Sequence, residues 1–134
     1  MKETKNFAPA GWHTITPRIV VNDPELFVDF LKNVFGATGE FQDTRPSVIT
    51  IGDSQIMIGE AGARRPTTSF LYVYVADIDA TYRRAGAAGV RVLEEPFDTH
   101  YGDRRCMFED KWGNTWQIAT HPDHSDAKPA LDQA

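Results

Sequence analysis

Thr14-Ile15-Thr16-Pro17-Arg18-Ile19-Val20-Val21-Asn22-Asp23-Pro24 is the stretch on which the reading of this chain turns. From Thr14 to Val21 the residues alternate. Ile15, Pro17, Ile19 and Val21 fall on one face and Thr14, Thr16, Arg18 and Val20 on the other, the two-residue period of a strand with unlike faces. Asp23 is placed to cap a helix whose first position is Pro24, and Leu26, Phe27, Phe30, Leu31, Val34 and Phe35 repeat at helical spacing until Gly36 stops the run. An extended stretch around Phe41 follows. Val48 to Ile51 and Gln55 to Ile58 then read as two strands joined at Gly52-Asp53-Ser54, a tight hairpin. Residues 14–60 therefore read β-α-β-β-β.

The plan then repeats. Phe70 to Val75 is rich in aromatic and β-branched residues, Asp77 offers a cap, and Ile78, Tyr82, Ala85 and Ala88 give a thinner apolar stripe ending at Gly89. Three extended stretches follow near Val90–Leu93, Arg104–Phe108 and Thr115–Thr120, the last two parted by a turn at Asp110-Lys111-Trp112-Gly113-Asn114. Val21-Asn22-Asp23 and Val75-Ala76-Asp77 occupy the same corner. Gln55-Ile56-Met57-Ile58 and Thr115-Trp116-Gln117-Ile118 close the two halves alike. Two copies favour an internally duplicated α+β domain over a solenoid. The expected layout is an arm over 1–12, one domain over 13–121 (first module 13–60, linker 61–68, second module 69–121) and a tail over 122–134.

Composition narrows the partners. With 134 residues, 41% hydrophobic and 25% charged, the chain is of single-domain size. Its one cysteine, Cys106, forms no internal bridge and has no His partner that would activate it, so it reads as an inert buried thiol. No apolar run approaches the ~18 residues of a membrane span, and Met1–Phe7 lacks the apolar core of a signal peptide. The cytoplasm is the expected location. Lys and Arg number 14 against 19 Asp and Glu, a net charge of −5, and no basic stripe with interleaved aromatics occurs, which argues against nucleic acid.

The duplicated plan resembles the vicinal oxygen chelate superfamily, which includes glyoxalase I, extradiol dioxygenases and bleomycin-resistance proteins. The carriers are the run His13–Asp23, Val34-Phe35-Gly36-Ala37, Ile51–Ile58, Val75–Ala80, Tyr101-Gly102-Asp103-Arg104 and Glu109–Trp116, in order across residues 13–121. Together they are most similar to the bacterial glyoxalase/bleomycin-resistance branch. The resemblance implies two βαβββ modules, each curled into a half-barrel, that form a U-shaped cleft with the helices outside. It also implies a homodimer. With that frame, the alternation assigns Ile15, Ile19, Val21, Ile49, Ile51, Ile56, Ile58, Leu71, Val73, Val75, Trp116 and Ile118 to the helix-covered side. The opposite parity, Thr14, Thr16, Arg18, Val48, Thr50, Gln55, Met57, Phe70, Tyr72, Tyr74, Thr115 and Gln117, faces the cleft.

Metal-dependent relatives hold a divalent ion with His and Glu, and alignment of the corner motifs carries those positions to Thr16, Met57, Phe70 and Gln117. None is an imidazole or carboxylate, so no metal is expected, with a divalent ion at some non-standard site as the alternative. His121 and His124 are read as part of the tail. His13 and His100 are read as surface or capping residues.

The resulting expectation is a protein that binds a small aromatic or hydrophobic organic molecule without a metal, of the drug-sequestration or resistance type. Its candidate ligand-binding residues are Thr16, Arg18, Thr50, Met57, Phe70, Tyr72, Tyr74, Arg105, Met107 and Gln117. The simpler alternative is that the aromatics only fill the half-barrel. Arg105, Met107 and Glu109 share one face of their strand. If that face is the cleft side, Glu109 is a candidate general base beside Arg105, and the plainer alternative is a surface ion pair. A lyase, isomerase or dioxygenase of the same superfamily is the competing function, and an accessory domain with a filled cleft is the third.

Overall fold

Pairing begins later than the alternation suggests. In the computed structural model, which describes residues 7–122, strand β1 covers only Arg18–Val21. Residues 14–17 stay outside the ladder apart from the Pro17 carbonyl, which accepts from the Met57 N–H at 3.0 Å. Proline has no N–H to continue the pairing. Ile15, expected in the core, is instead 79% exposed.

The first half continues with α1 (Pro24–Phe35), β2 (Ser47–Ile51) and β3 (Ser54–Glu60), in a sheet of order β1-β3-β2. Pro24 opens α1 as expected, but Asp23 does not cap it. Its backbone is left-handed (φ 57°), a conformation Asp tolerates better than most, and its side chain makes no cap hydrogen bond. Gly36, also left-handed, ends the helix by donating to the Lys32 carbonyl at 3.1 Å. The extended stretch expected around Phe41 is no strand. Thr38 and Thr50 exchange two hydrogen bonds of 3.0 and 2.9 Å as an isolated bridge, and Gly39 then leaves the ladder at φ 117°. A Cβ at Gly39 would lie 2.5 Å from the Val48 carbonyl oxygen, so only glycine permits this close approach.

The second half comprises β4 (Phe70–Tyr74), α2 (Ile78–Ala87), β5 (Arg91–Asp98), β6 (Arg104–Glu109) and β7 (Thr115–Thr120), with sheet order β4-β7-β6-β5. Here Asp77 caps as predicted, accepting from the Ala80 N–H at 3.1 Å. Helix α2 packs on β5, β6 and β7. Over the described residues the architecture is α+β, two helices with mixed sheets of three and four strands. The chain divides into two compact units, one running to Pro66 without Asn33–Phe35 and the other taking Asn33–Phe35 with Thr67 onward.

The duplication is visible in the register. β1 runs parallel to β3 with Arg18 opposite Met57 and Val20 opposite Gly59, while β4 runs parallel to β7 with Tyr72 opposite Gln117 and Tyr74 opposite Ala119. These are the pairs that the corner alignment makes equivalent. In both sheets the apolar parity is the buried one: Ile19, Val21, Ile49, Ile56 and Ile58 in the first, Trp116, Ile118, Cys106 and Phe108 in the second. Ile51, Leu71, Val73 and Val75 share that parity but are only half-buried. β4 is an edge strand.

One carboxylate organises the β6–β7 turn. Asp110 is buried and accepts from the backbone N–H of Trp112 and of Asn114, each at 2.9 Å, from the Asn114 side-chain amide at 3.1 Å, and from Trp116 Nε1 at 2.8 Å. Asn114 in turn accepts from the Ser69 N–H at 2.9 Å, tying the turn to the start of β4. Asp110→Ala strands several buried donors, and unsatisfied buried groups cost about 1–3 kcal/mol each. A loss of about 3 kcal/mol of stability is expected, read as a lower urea midpoint with unchanged slope.

Candidate functional site

The open face of the second sheet follows from its register. Tyr72, Gln117, Met107 and Glu94 lie side by side across β4, β7, β6 and β5, flanked by the row Phe70, Thr115, Glu109, Arg91 and the row Tyr74, Ala119, Arg105, Phe97. Cys106 and Phe108 are fully buried on the other side, which puts Arg105, Met107 and Glu109 on the same face as the β4 aromatics. Phe70, Tyr72 and Tyr74 are 66%, 36% and 55% exposed. They therefore do not fill an interior, and the Tyr72 and Tyr74 rings sit 5.3 Å apart.

A polar network runs along one end of this face. Tyr72 donates its hydroxyl proton to Asp103 Oδ2 at 2.8 Å and lies 3.4 Å from the Tyr101 hydroxyl. Arg105 donates to the Tyr101 oxygen at 2.9 Å, pairs with Glu94 at 3.3 Å, and holds its guanidinium 5.1 Å from the Phe97 ring centre. Asp103 is buried, and its other oxygen lies 2.7 Å from His121 Nδ1. A carboxylate only accepts, so this nitrogen carries the proton. His121 is thus part of the structured second half and not of a tail, while His124 lies outside the described residues. Thr99 closes the loop: its hydroxyl donates to the Asp103 carbonyl at 2.8 Å, with Gly102 at φ 103° between them.

Glu94, Tyr101, Asp103 and His121 were not among the candidates read from sequence. Tyr101-Gly102-Asp103 was visible only as a motif, because its partners are 18 and 31 residues away. Glu109, the acid/base candidate, accepts from Arg91 through bonds of 2.9 and 2.6 Å, and Arg105 pairs with Glu94.

In the first half, Arg18 and Met57 share the open face of their sheet, as do Val48 and Met57 and, two residues on, Thr50 and Gln55. Thr16 precedes β1 and is half-buried. The positions to which the resemblance assigns a metal, Thr16, Met57, Phe70 and Gln117, offer two neutral oxygens, one thioether and a hydrocarbon ring, which do not suit a catalytic divalent ion. Among the described residues no three His, Cys, Asp or Glu side chains gather as a metal site. No helix is long and apolar enough to cross a membrane.

Tyr72, Tyr74 and Cys106 are among the groups with displaced proton affinities. Burial, then the hydrogen bonds to Tyr101 and Asp103, hold Tyr72 well above the ordinary phenol range, and burial with the Asp103 charge raises Tyr74. Burial pushes the Cys106 thiol up to about 12, so it stays unreactive. Unfolded tyrosines ionise from about pH 10, where folded Tyr72 and Tyr74 keep their protons. Stability is therefore expected to be complete below that pH and to fall as pH rises through it. Asp103→Asn, which removes the charge opposing tyrosinate, should bring these two ionisations down in an absorbance titration and make the alkaline fall shallower.

Residues 12–118 match the family described as the glyoxalase/bleomycin resistance protein/dioxygenase superfamily. Among solved structures, TioX from Micromonospora sp. ML1 is 24% identical, with 82% of this chain and 99% of that one covered at a TM-score of 0.69. The fosfomycin resistance protein FosX from Mesorhizobium loti is 20% identical over 91% and 98%, TM-score 0.66. A glyoxalase/bleomycin resistance protein/dioxygenase family enzyme from Burkholderia phytofirmans PsJN is 19% identical over 78% and 95%, TM-score 0.67. At these identities the likeness is one of fold. No curated protein sequence matches the chain.

Proposed function

The chain belongs to the glyoxalase/bleomycin resistance protein/dioxygenase superfamily, and from that footing we propose that it binds a small, flat, aromatic or hydrophobic organic molecule without a metal. The observation that carries this reading is the open face of β4. Three aromatic side chains stand exposed in one row, beside Met107, Gln117 and the anchored Arg105. Exposed large apolar groups gathered on one face mark an interaction surface, and aromatic rings offer stacking area at little cost in conformational entropy. The network through Asp103, Tyr101 and Glu94 fixes the tips of Tyr72 and Arg105, so the polar groups that would orient a ligand are already in place. Drug sequestration of the resistance type is the physiological form of this binding, in a cytoplasmic homodimer.

Anilinonaphthalene sulfonate, an aromatic probe whose emission rises on apolar surfaces, is expected to bind the folded protein saturably. Phe70→Ala and Tyr72→Ala should each weaken it by about 2- to 10-fold, the worth of one aromatic contact. Unchanged probe affinity in both variants would overturn the reading. Elemental analysis of protein purified without chelator should find no stoichiometric nickel, zinc, iron or manganese. A stoichiometric ion would instead support the competing metal-dependent lyase, isomerase or dioxygenase.

A further inference from the structure

A concavity lies wholly within the first half. It has a volume of about 230 Å³ and is lined by Arg18, Arg45 and Arg64, with Asp43, Glu60 and Gly59 also at its wall. That volume is below the roughly 300–1,000 Å³ of pockets that enclose drug-sized ligands, so its occupant is a small ion or the charged end of a larger molecule. We propose that this cavity is a binding site for a phosphate-class oxyanion, held by the guanidinium groups of Arg18, Arg45 and Arg64.

Three observations support the assignment. First, among the described residues none of these three guanidiniums makes an ion pair or a hydrogen bond, although Asp43 and Glu60 stand in the same wall and the chain as a whole is acidic. In the second half, Arg91, Arg104 and Arg105 are all paired with carboxylates. Guanidinium cannot shed its charge, and its planar fork matches the oxygens of phosphate. Second, the Arg18 guanidinium lies beside the cavity wall: a Cβ built on Gly59, the residue opposite Val20 and itself part of that wall, would be in ordinary van der Waals contact with Arg18 Nε and Nη2, each at 3.9 Å. Third, Pro24 at the start of α1 also lines the cavity, and Asp23 leaves that helix without a side-chain cap. The positive end of a twelve-residue helix adds to the arginine field in the direction that favours an anion. Three cationic groups against two carboxylates leave the wall net positive, and the two carboxylates fall short of a cation site.

The test uses the full chain and inorganic phosphate, by isothermal titration calorimetry at constant ionic strength. Saturable one-to-one binding is expected, displaced by sulfate and not by added potassium chloride at matched ionic strength. Arg45→Ala and Arg64→Ala, both on exposed loop positions, should each weaken it about tenfold, as loss of a charge-assisted contact does. Asp43→Asn and Glu60→Gln should tighten it, an effect that mere disturbance of the loops would not produce. A second arm with phenyl phosphate separates the sources: tighter binding than inorganic phosphate means the cavity holds the head of a larger organic molecule, and equal binding means the free ion. No saturable binding at millimolar phosphate, or equal affinity in the Arg45→Ala/Arg64→Ala double variant, would overturn the proposal. Because phosphate alone is the probe, the outcome does not depend on whether the aromatic face of the second sheet binds anything.

Discussion

The candidate face depends on the Asp110 carboxylate. By accepting from Trp116 Nε1 and from the N–H groups of Trp112 and Asn114, it fixes where β7 begins relative to the turn. β7 is the inner strand that pairs with both β4 and β6, so its register aligns Tyr72 with Gln117 and Met107. A slip of one residue would send those side chains to the helix-covered side and bring Trp116 and Ile118 to the surface. The buried carboxylate is tolerable because its oxygens are satisfied by four donors from its own turn and strand. Trp116 then extends the anchor: its ring lies 4.9 Å from that of Phe35, both within the second compact unit.

Charge on the open face is arranged differently from what the composition suggests. Of the acidic residues, only Glu109 is placed near the candidate face by the sequence pattern, as though the acidity belonged entirely to the outer surface. The structure adds Glu94 and Asp103. Neither is free to act alone, since Glu94 is spent on Arg105 and Asp103 on Tyr72 and His121. Their effect is positional. They hold an arginine and a phenol that would otherwise sample many rotamers, at the side of three aromatic rings whose own conformational cost is small.

Local period and turn chemistry made most of the fold legible. Alternation assigned the buried side of both sheets, Pro24 and Gly36 bounded α1, Asp77 capped α2, and Gly52-Asp53 closed the β2–β3 hairpin. The failures share a cause, which is that pairing is decided by a partner far along the chain. Thr14–Pro17 alternates like a strand but has only one carbonyl in the ladder, and the stretch at Phe41 stops at the Thr38–Thr50 bridge because Gly39 must pass within contact of Val48. The same holds at the site. Phe70, Tyr72 and Tyr74 were readable from parity, whereas Asp103 with His121 and Arg105 with Glu94 are contacts across loops and strands that no periodicity announces.

The duplication explains how one chain comes to carry two unlike surfaces. Arg18 and Tyr72 occupy the same place in their respective sheets, each beside the return strand, with Met57 and Gln117 as the matching neighbours. Two residues along, Val20 and Tyr74 face Gly59 and Ala119, and in both copies the return strand has the smallest side chains available at that point. In the first copy the Arg18 guanidinium lies within van der Waals reach of a Cβ built on Gly59, and in the second Ala119 pairs with Tyr74 on one side and Arg105 on the other. The backbone register is thus the same in both copies, and the side chains at matching places differ, a guanidinium at Arg18 and a phenol at Tyr72. None of Thr16, Met57, Phe70 and Gln117, the four positions that the resemblance assigns to a metal, carries an imidazole or a carboxylate, so the duplicated frame is kept while the chemistry of its matching side chains is not.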